Sequence, residues 1–166
     1  VPVFLDSYAF PDYGPEEISS CAVKILPIVT SRGCVNNCNF CAHNSLWPFF
    51  HQRTAENVIA EIKYQMKKTG LHNFRFNDSI LNVNHRFLKK LCEIIIKEDL
   101  NIRWGANIRV DGQMTKDMFN LLYKAGCRFV MIGVESGSDR VQNDMNKGIN
   151  SGLSSDVLKY AHENCL

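Results

Sequence analysis

At 166 residues, with 45% hydrophobic and 22% charged side chains, the chain has the make-up of one globular domain long enough to bury a sizeable core. Its net charge of +2 comes from scattered Lys and Arg, so no basic stripe indicates nucleic acid, and no apolar run approaches the roughly 20 residues a membrane-spanning helix needs. Seven cysteines, an odd number, argue against a secreted disulfide framework and for a reducing compartment, with the cytoplasm as the default.

Residues 1–22 lack a period and are broken by Pro2, Pro11, Gly14 and Pro15. Phe4, Tyr8, Phe10 and Tyr13 are too aromatic for a flexible linker, so this stretch reads as an ordered connecting arm leading in from further chain. No signal peptide is visible, and the chain opens on Val1 and not Met, so residues are expected before it.

Residues 23–166 read as the core domain. Val23 to Thr30 is nearly all apolar and predicts a strand buried on both faces, with Pro27 favouring an edge. A cysteine-bearing loop follows directly. Thr54 then caps a helix whose apolar face is Val58, Ile59, Ile62 and Met66, stopped by Gly70. Residues 73–77 form a short strand, and Asn84 caps a helix with Phe87, Leu88, Leu91, Cys92 and Ile95 on one side. Residues 102–107 are a third strand. Thr115 caps a third helix carrying Met118, Phe119, Leu122 and Ala125, and 128–134 are a fourth strand, again nearly all apolar. A short helical turn from Ser138 and a last helix from near Asn150 complete the chain.

Strand and helix alternate four times, the pattern of an α/β protein with a parallel sheet. Ligands in such folds sit beyond the C-terminal strand ends. The polar residues fall there: the cysteine loop, Asn77-Asp78-Ser79, Asn107 with Arg109, and Glu135-Ser136-Gly137-Ser138. A closed eight-stranded barrel takes about 250 residues, so an open sheet, a partial barrel or a fragment is expected.

The loop reads Thr30-Ser31-Arg32-Gly33-Cys34-Val35-Asn36-Asn37-Cys38-Asn39-Phe40-Cys41. Three thiolates are soft ligands suited to an iron–sulfur cluster or to zinc. On a four-iron cluster they leave one iron open to an exogenous ligand. Gly33 permits unusual backbone angles, and Asn36, Asn37 and Asn39 suit a turn and can donate amides to sulfur. The rival is a zinc-stabilised binding module in which His43 or His51 completes a Cys3His site; the remaining alternative is that the three cysteines face a helical core. Cys21, Cys92, Cys127 and Cys165 read as incidental packing thiols, the five histidines as surface or helix-face residues, and Trp47, Phe49 and Phe50 as a cover for the loop or for a partner domain.

The motif Cys34-x-x-x-Cys38-x-Phe40-Cys41 resembles the signature of the radical S-adenosylmethionine (SAM) enzymes. Thr30 to Gly33 before it, Ile132 to Ser138 and Met145-Asn146-Lys147-Gly148 after it match that family in order and spacing from about Cys21 to the end. The resemblance implies a partial TIM-like (β/α) barrel of six units, of which about four are readable, the C-terminal units being absent. It implies that Cys34, Cys38 and Cys41 ligate a 4Fe-4S cluster and that SAM chelates the fourth iron. An electron, from a donor such as flavodoxin or ferredoxin, then cleaves SAM to methionine and a 5′-deoxyadenosyl radical that takes hydrogen from a substrate the sequence does not name. It assigns Phe40 to the adenine, Asp78 to the SAM amino group although a Gly-Gly-Glu-like motif is missing there, Glu135 and Ser136 to the ribose or methionine part, and Arg109 to the SAM carboxylate. The Pro11-Asp12-Tyr13 arm resembles linkers of the subgroup with an N-terminal cobalamin domain, which would lie outside this chain.

Overall fold

The computed structural model describes residues 4–166, apart from the side chain at position 44. The leading segment holds a single 3-10 turn and helix α1 (Pro15–Ser20), which begins with Pro at its first position and a Gly14 N–H donating to the Glu17 carboxylate. This segment is tied to helix α3 described below. Asp6 accepts from the Thr54 N–H and hydroxyl, Gln65 donates to the Pro11 carbonyl at 2.7 Å, and Phe10 meets Tyr64 at 5.9 Å between ring centroids.

Then come β1 (Leu26–Ile28), β2 (Ser31–Arg32), α2 (His43–Leu46), β3 (His51–Gln52), α3 (Ala55–Thr69), β4 (Asn73–Phe76), α4 (His85–Lys97), β5 (Arg103–Arg109), α5 (Lys116–Lys124), β6 (Cys127–Gly133), α6 (Asp139–Asp144) and α7 (Ser151–Glu163). The sheet runs β1-β4-β5-β6, every neighbour parallel, and β2 and β3 form a separate antiparallel ribbon beside the cysteine loop. Consecutive strands of the main sheet are neighbours, each joined by a helix, so the chain winds in one direction, as in a TIM-like barrel that four strands leave unclosed.

Local chemistry sets the helix ends as expected. Thr54, Asn84, Thr115 and Asn150 each accept from a backbone N–H three residues on, and Gly70 ends α3 at φ 69°. The apolar stripes of α3, α4 and α5 pack on one face of the sheet, where Ile28, Phe76 and Ala106 are fully buried and Phe76 meets Trp104 edge-on at 5.0 Å.

The opposite face is open, and here the pattern misleads. The apolar runs at 23–30 and 128–134 predict strands buried on both sides, yet Ile25, Val29, Phe129 and Met131 are all more than 40% exposed. Helices cover only the convex side, so alternate residues of each strand face a concave surface that this chain does not fill. Two incidental thiols are also corrected: Cys92 and Cys127 are buried in the core, but Cys21 and Cys165 lie at the surface. Burial pushes the Cys127 thiol up to about 12 and the Cys92 thiol higher still, so both are inert packing groups. No helix among the described residues is long and apolar enough to cross a membrane.

Candidate cofactor-binding site

The cysteine loop leaves the end of β1, and Asp78 fixes that exit. Its carboxylate is 1% exposed and accepts from the Thr30 N–H at 3.0 Å, the Thr30 hydroxyl at 2.9 Å and the Ser31 hydroxyl at 2.6 Å. Desolvation outweighs these bonds and pushes its pKa up from the usual range. Two residues on, Gly33 takes φ +90°, and a Cβ there would stand 2.2 Å from the Phe49 carbonyl oxygen, so only glycine lets the loop pass the strand that returns.

Beyond Gly33 the loop is irregular, which removes the helical alternative for the three cysteines. It is stitched to the segment after α6. The Asn39 N–H donates to the Met145 carbonyl at 2.9 Å, the Asn39 amide to the Asp144 carbonyl at 2.8 Å, and the Asn146 amide to the Asn37 carbonyl at 2.8 Å. The asparagines expected to serve the turn thus also join two loops more than 100 residues apart in sequence.

The result is a cavity of about 390 Å³ at the C-terminal strand ends, lined by Cys34, Cys38 and Cys41 and by Phe40, Arg109 and Glu135. Cys34 Sγ receives the Asn36 backbone N–H at 3.5 Å and the Asn36 amide at 3.6 Å, and Arg109 Nη1 lies 3.7 Å from Cys38 Sγ. These donors and the guanidinium point at sulfur, as they would at a metal-bound cysteine. Arg109 has no carboxylate partner among the described residues; Asp111, two residues on, is bonded to His85 and Asn82. Asn82 holds both the backbone N–H and carbonyl of Arg109, fixing its position.

Glu135 sits at φ +65° and pairs with Lys147 at 2.8 Å. Lys147 is 6% exposed, with its Nζ 5.4 Å from the Phe40 ring centroid. A Cβ on Gly133 would lie 2.9 Å from Glu135 Oε1, so that glycine admits the pair. Lys147, Ser79 and Asn107 line the cavity without having been assigned a role from sequence, and His43, expected there only as a zinc ligand, lines it too. For Lys147 the signal was present in the Met145–Gly148 motif; a lysine this buried needs a partner.

Two assigned residues lie elsewhere. Asp78 does not line the cavity, its carboxylate being spent on Thr30 and Ser31, while its neighbour Ser79 does. Ser136 turns its hydroxyl to the Ser138 N–H at 3.1 Å and is also outside the lining. Nor do Trp47, Phe49 and Phe50 cover the thiols. Trp47 stacks on Arg32 at 5.0 Å, and Phe49 is 71% exposed.

Among the described residues, no three His, Cys, Asp or Glu side chains gather around a single-ion position. Zinc holds sulfur at about 2.3 Å and would draw its ligands together. His43 lies 2.6 Å from Ser79 Oγ, and His51 lies in the β2–β3 ribbon. A four-iron cluster takes each cysteine on a different iron, so three cysteines lining one cavity, with N–H donors at Cys34 Sγ and a guanidinium beside Cys38, fit it.

The model of the Radical SAM superfamily matches residues 28–165. The chain belongs to that family. Curated relatives of this radical SAM chain include bacteriochlorophyllide d C-12(1)-methyltransferase of Chlorobaculum tepidum, 28% identical over 76% of this chain and 28% of the relative. An uncharacterized methyltransferase of Pyrococcus horikoshii is 30% identical over 81% of this chain and 29% of the relative. Anaerobic magnesium-protoporphyrin IX monomethyl ester cyclase of Rubrivivax gelatinosus is 30% identical over 70% and 21%. This chain therefore spans less than a third of the length of those relatives. Among solved structures, the radical SAM methyltransferase TsrM of Kitasatospora setae, with tryptophan substrate and a SAM analogue bound, aligns at a TM-score of 0.74 with 18% identity over 86% of this chain and 29% of that one. The cobalamin-dependent radical SAM enzyme OxsB, with aqua-cobalamin and SAM bound, aligns at 0.68 with 21% identity over 82% and 22%. At these identities the two structures establish the fold, that of a radical SAM TIM-like barrel with four strands present here.

Proposed function

We propose that this chain is the cofactor-holding part of a radical SAM enzyme, in which Cys34, Cys38 and Cys41 carry a 4Fe-4S cluster and SAM occupies the rest of the cavity. The observation that carries the proposal is that the three thiols, Arg109, Phe40 and the Glu135–Lys147 pair line one cavity at the C-terminal ends of a parallel sheet. The cluster would supply an electron to cleave SAM to a carbon radical. Arg109 and Asn36 place positive potential at the sulfurs. Arg109 retains donor capacity for a carboxylate. Lys147 engages one oxygen of Glu135, leaving the other to accept from an amino group or a ribose hydroxyl. Phe40 offers an apolar ring to adenine.

Methyl transfer or ring closure on an organic substrate, with cobalamin and the remaining barrel contributed by polypeptide beyond these residues, is the extension the relatives support. We place this chain in a reducing compartment, the cytoplasm by default, with a flavodoxin-like or ferredoxin-like donor, because the cluster needs an electron source and protection from oxygen. Anaerobic reconstitution tests the core of the proposal: about four irons and four sulfides per chain are expected. One equivalent of zinc without labile sulfide would reject it.

A further inference from the structure

The concave face of the sheet carries a second feature one layer of side chains below the cysteine cavity. Arg75, Gly105 and Phe129 lie abreast in the register, and Asn107 with Met131 forms the next layer toward the strand ends. A Cβ on Gly105 would stand 3.2 Å from Arg75 Nη1, so the missing side chain lets the guanidinium lie across the strand. Arg75 is 5.2 Å from the Phe129 ring centroid, and its Nη2 donates to Asn107 Oδ1. Nη1 is shut off from solvent and has no partner among the described residues. A desolvated guanidinium nitrogen without an acceptor is an uncommon and costly state, and an anion relieves it.

The surroundings have the same sign. Lys24, Arg103 and Arg128 line a 480 Å³ cavity together with Arg75, and no Asp or Glu lines it. Lys24 is held by the carbonyls of Ile18, Ser19 and Cys21, and Arg128 by those of Tyr123 and Cys127. Arg103 has no side-chain partner among the described residues, so it offers its whole guanidinium to the cavity beside the unpartnered Nη1 of Arg75, whereas Arg128 has its Nη1 committed to backbone carbonyls. Asn107 joins this cavity to the other: it accepts from Arg75 and lines the cysteine cavity.

We propose that Arg75 and Arg103 form an anion subsite that receives the carboxylate or phosphate group of the substrate, holding the remainder of that molecule toward the cysteine cavity. This rests on the radical SAM reading, since it treats the cavity above as the reactive site. The experiment is isothermal titration of the full-length protein with inorganic phosphate and, separately, with acetate, at constant ionic strength set by chloride. Saturable binding of one of the two is expected, identifying the anion class, and Arg75→Gln should weaken it tenfold or more, with a severalfold loss in Arg103→Gln. No saturable binding of either anion, or equal binding by Arg75→Gln, overturns the proposal, because the guanidinium is then already paired within the polypeptide. Should Arg75→Gln fail to fold, unchanged affinity in Arg103→Gln overturns it instead. Iron and sulfide analysis of the same preparations separates the two ideas. Cluster loading without anion binding removes the subsite alone, and anion binding by a protein that takes up no iron removes the substrate assignment.

Discussion

Replacing Asp78 probes the brace on which the cysteine loop hangs. In Asp78→Ala the Thr30 N–H and the Thr30 and Ser31 hydroxyls, all buried, lose their acceptor. Each unsatisfied buried donor costs about 1–3 kcal/mol, and hydroxyls can rotate to recover part of it, so a total loss of about 3–5 kcal/mol is expected. In Asp78→Asn the side-chain oxygen can still accept all three short bonds, which end on the single atom Oδ1. That variant should stay within about 1 kcal/mol of wild type. The two also differ with pH. Because the Asp78 pKa is raised in the folded state, the native protein binds the proton more tightly than the unfolded chain. Relative to Asp78→Asn, wild type should therefore lose stability as pH rises from about 4, the unfolded aspartate value, through the raised folded pKa, and then level off. Urea unfolding of the three proteins across that range is the assay. The reasoning is refuted if Asn costs as much as Ala, or if wild type gains on Asp78→Asn as pH rises.

Gly33→Ala should cost more than about 2 kcal/mol by urea midpoint and lower the iron content, because the new Cβ meets the Phe49 carbonyl at a positive φ. Glu135→Ala should weaken SAM binding by about tenfold or more in a spectroscopic titration while iron and sulfide stay at wild-type levels, since Glu135 pairs with Lys147 and not with a thiol. Arg109→Gln should leave folding intact, the Arg109 backbone being held by Asn82, and should shift the cluster midpoint to more negative potential in a redox titration by removing positive charge near Cys38. A shift the other way would contradict the role given to Arg109.

The sequence was legible wherever one residue type has one local use. Thr54, Asn84, Thr115 and Asn150 cap helices because a side-chain oxygen three residues before a free N–H does little else. The three cysteines, Arg109 and Glu135 stood out by spacing and strand-end position, and Phe40 by the resemblance to the radical SAM signature; all of them line one cavity. Burial on both sheet faces was misjudged at Phe129 and Met131, because apolar strand residues do not reveal whether a second layer covers them. Asp78 and Ser136 drew attention as polar residues at strand ends, but polarity does not say where a side chain turns. Asp78 faces back toward β1, and Ser136 bonds within its own loop. Lys147 lay within the Met145–Gly148 motif, but its place in the cavity depends on α6 and the loop after it folding over the cysteine loop through Asn39 and Asn146, contacts that span more than 100 residues.

The central claim is that one cavity holds both a three-cysteine cluster and SAM, and electron paramagnetic resonance of the anaerobically reconstituted, reduced protein tests it most directly. The account predicts a 4Fe-4S signal that changes shape on adding SAM in wild type, needs far more SAM to do so in Glu135→Ala, and is lost in Cys38→Ala. A cluster signal that saturating SAM leaves unaltered would contradict it.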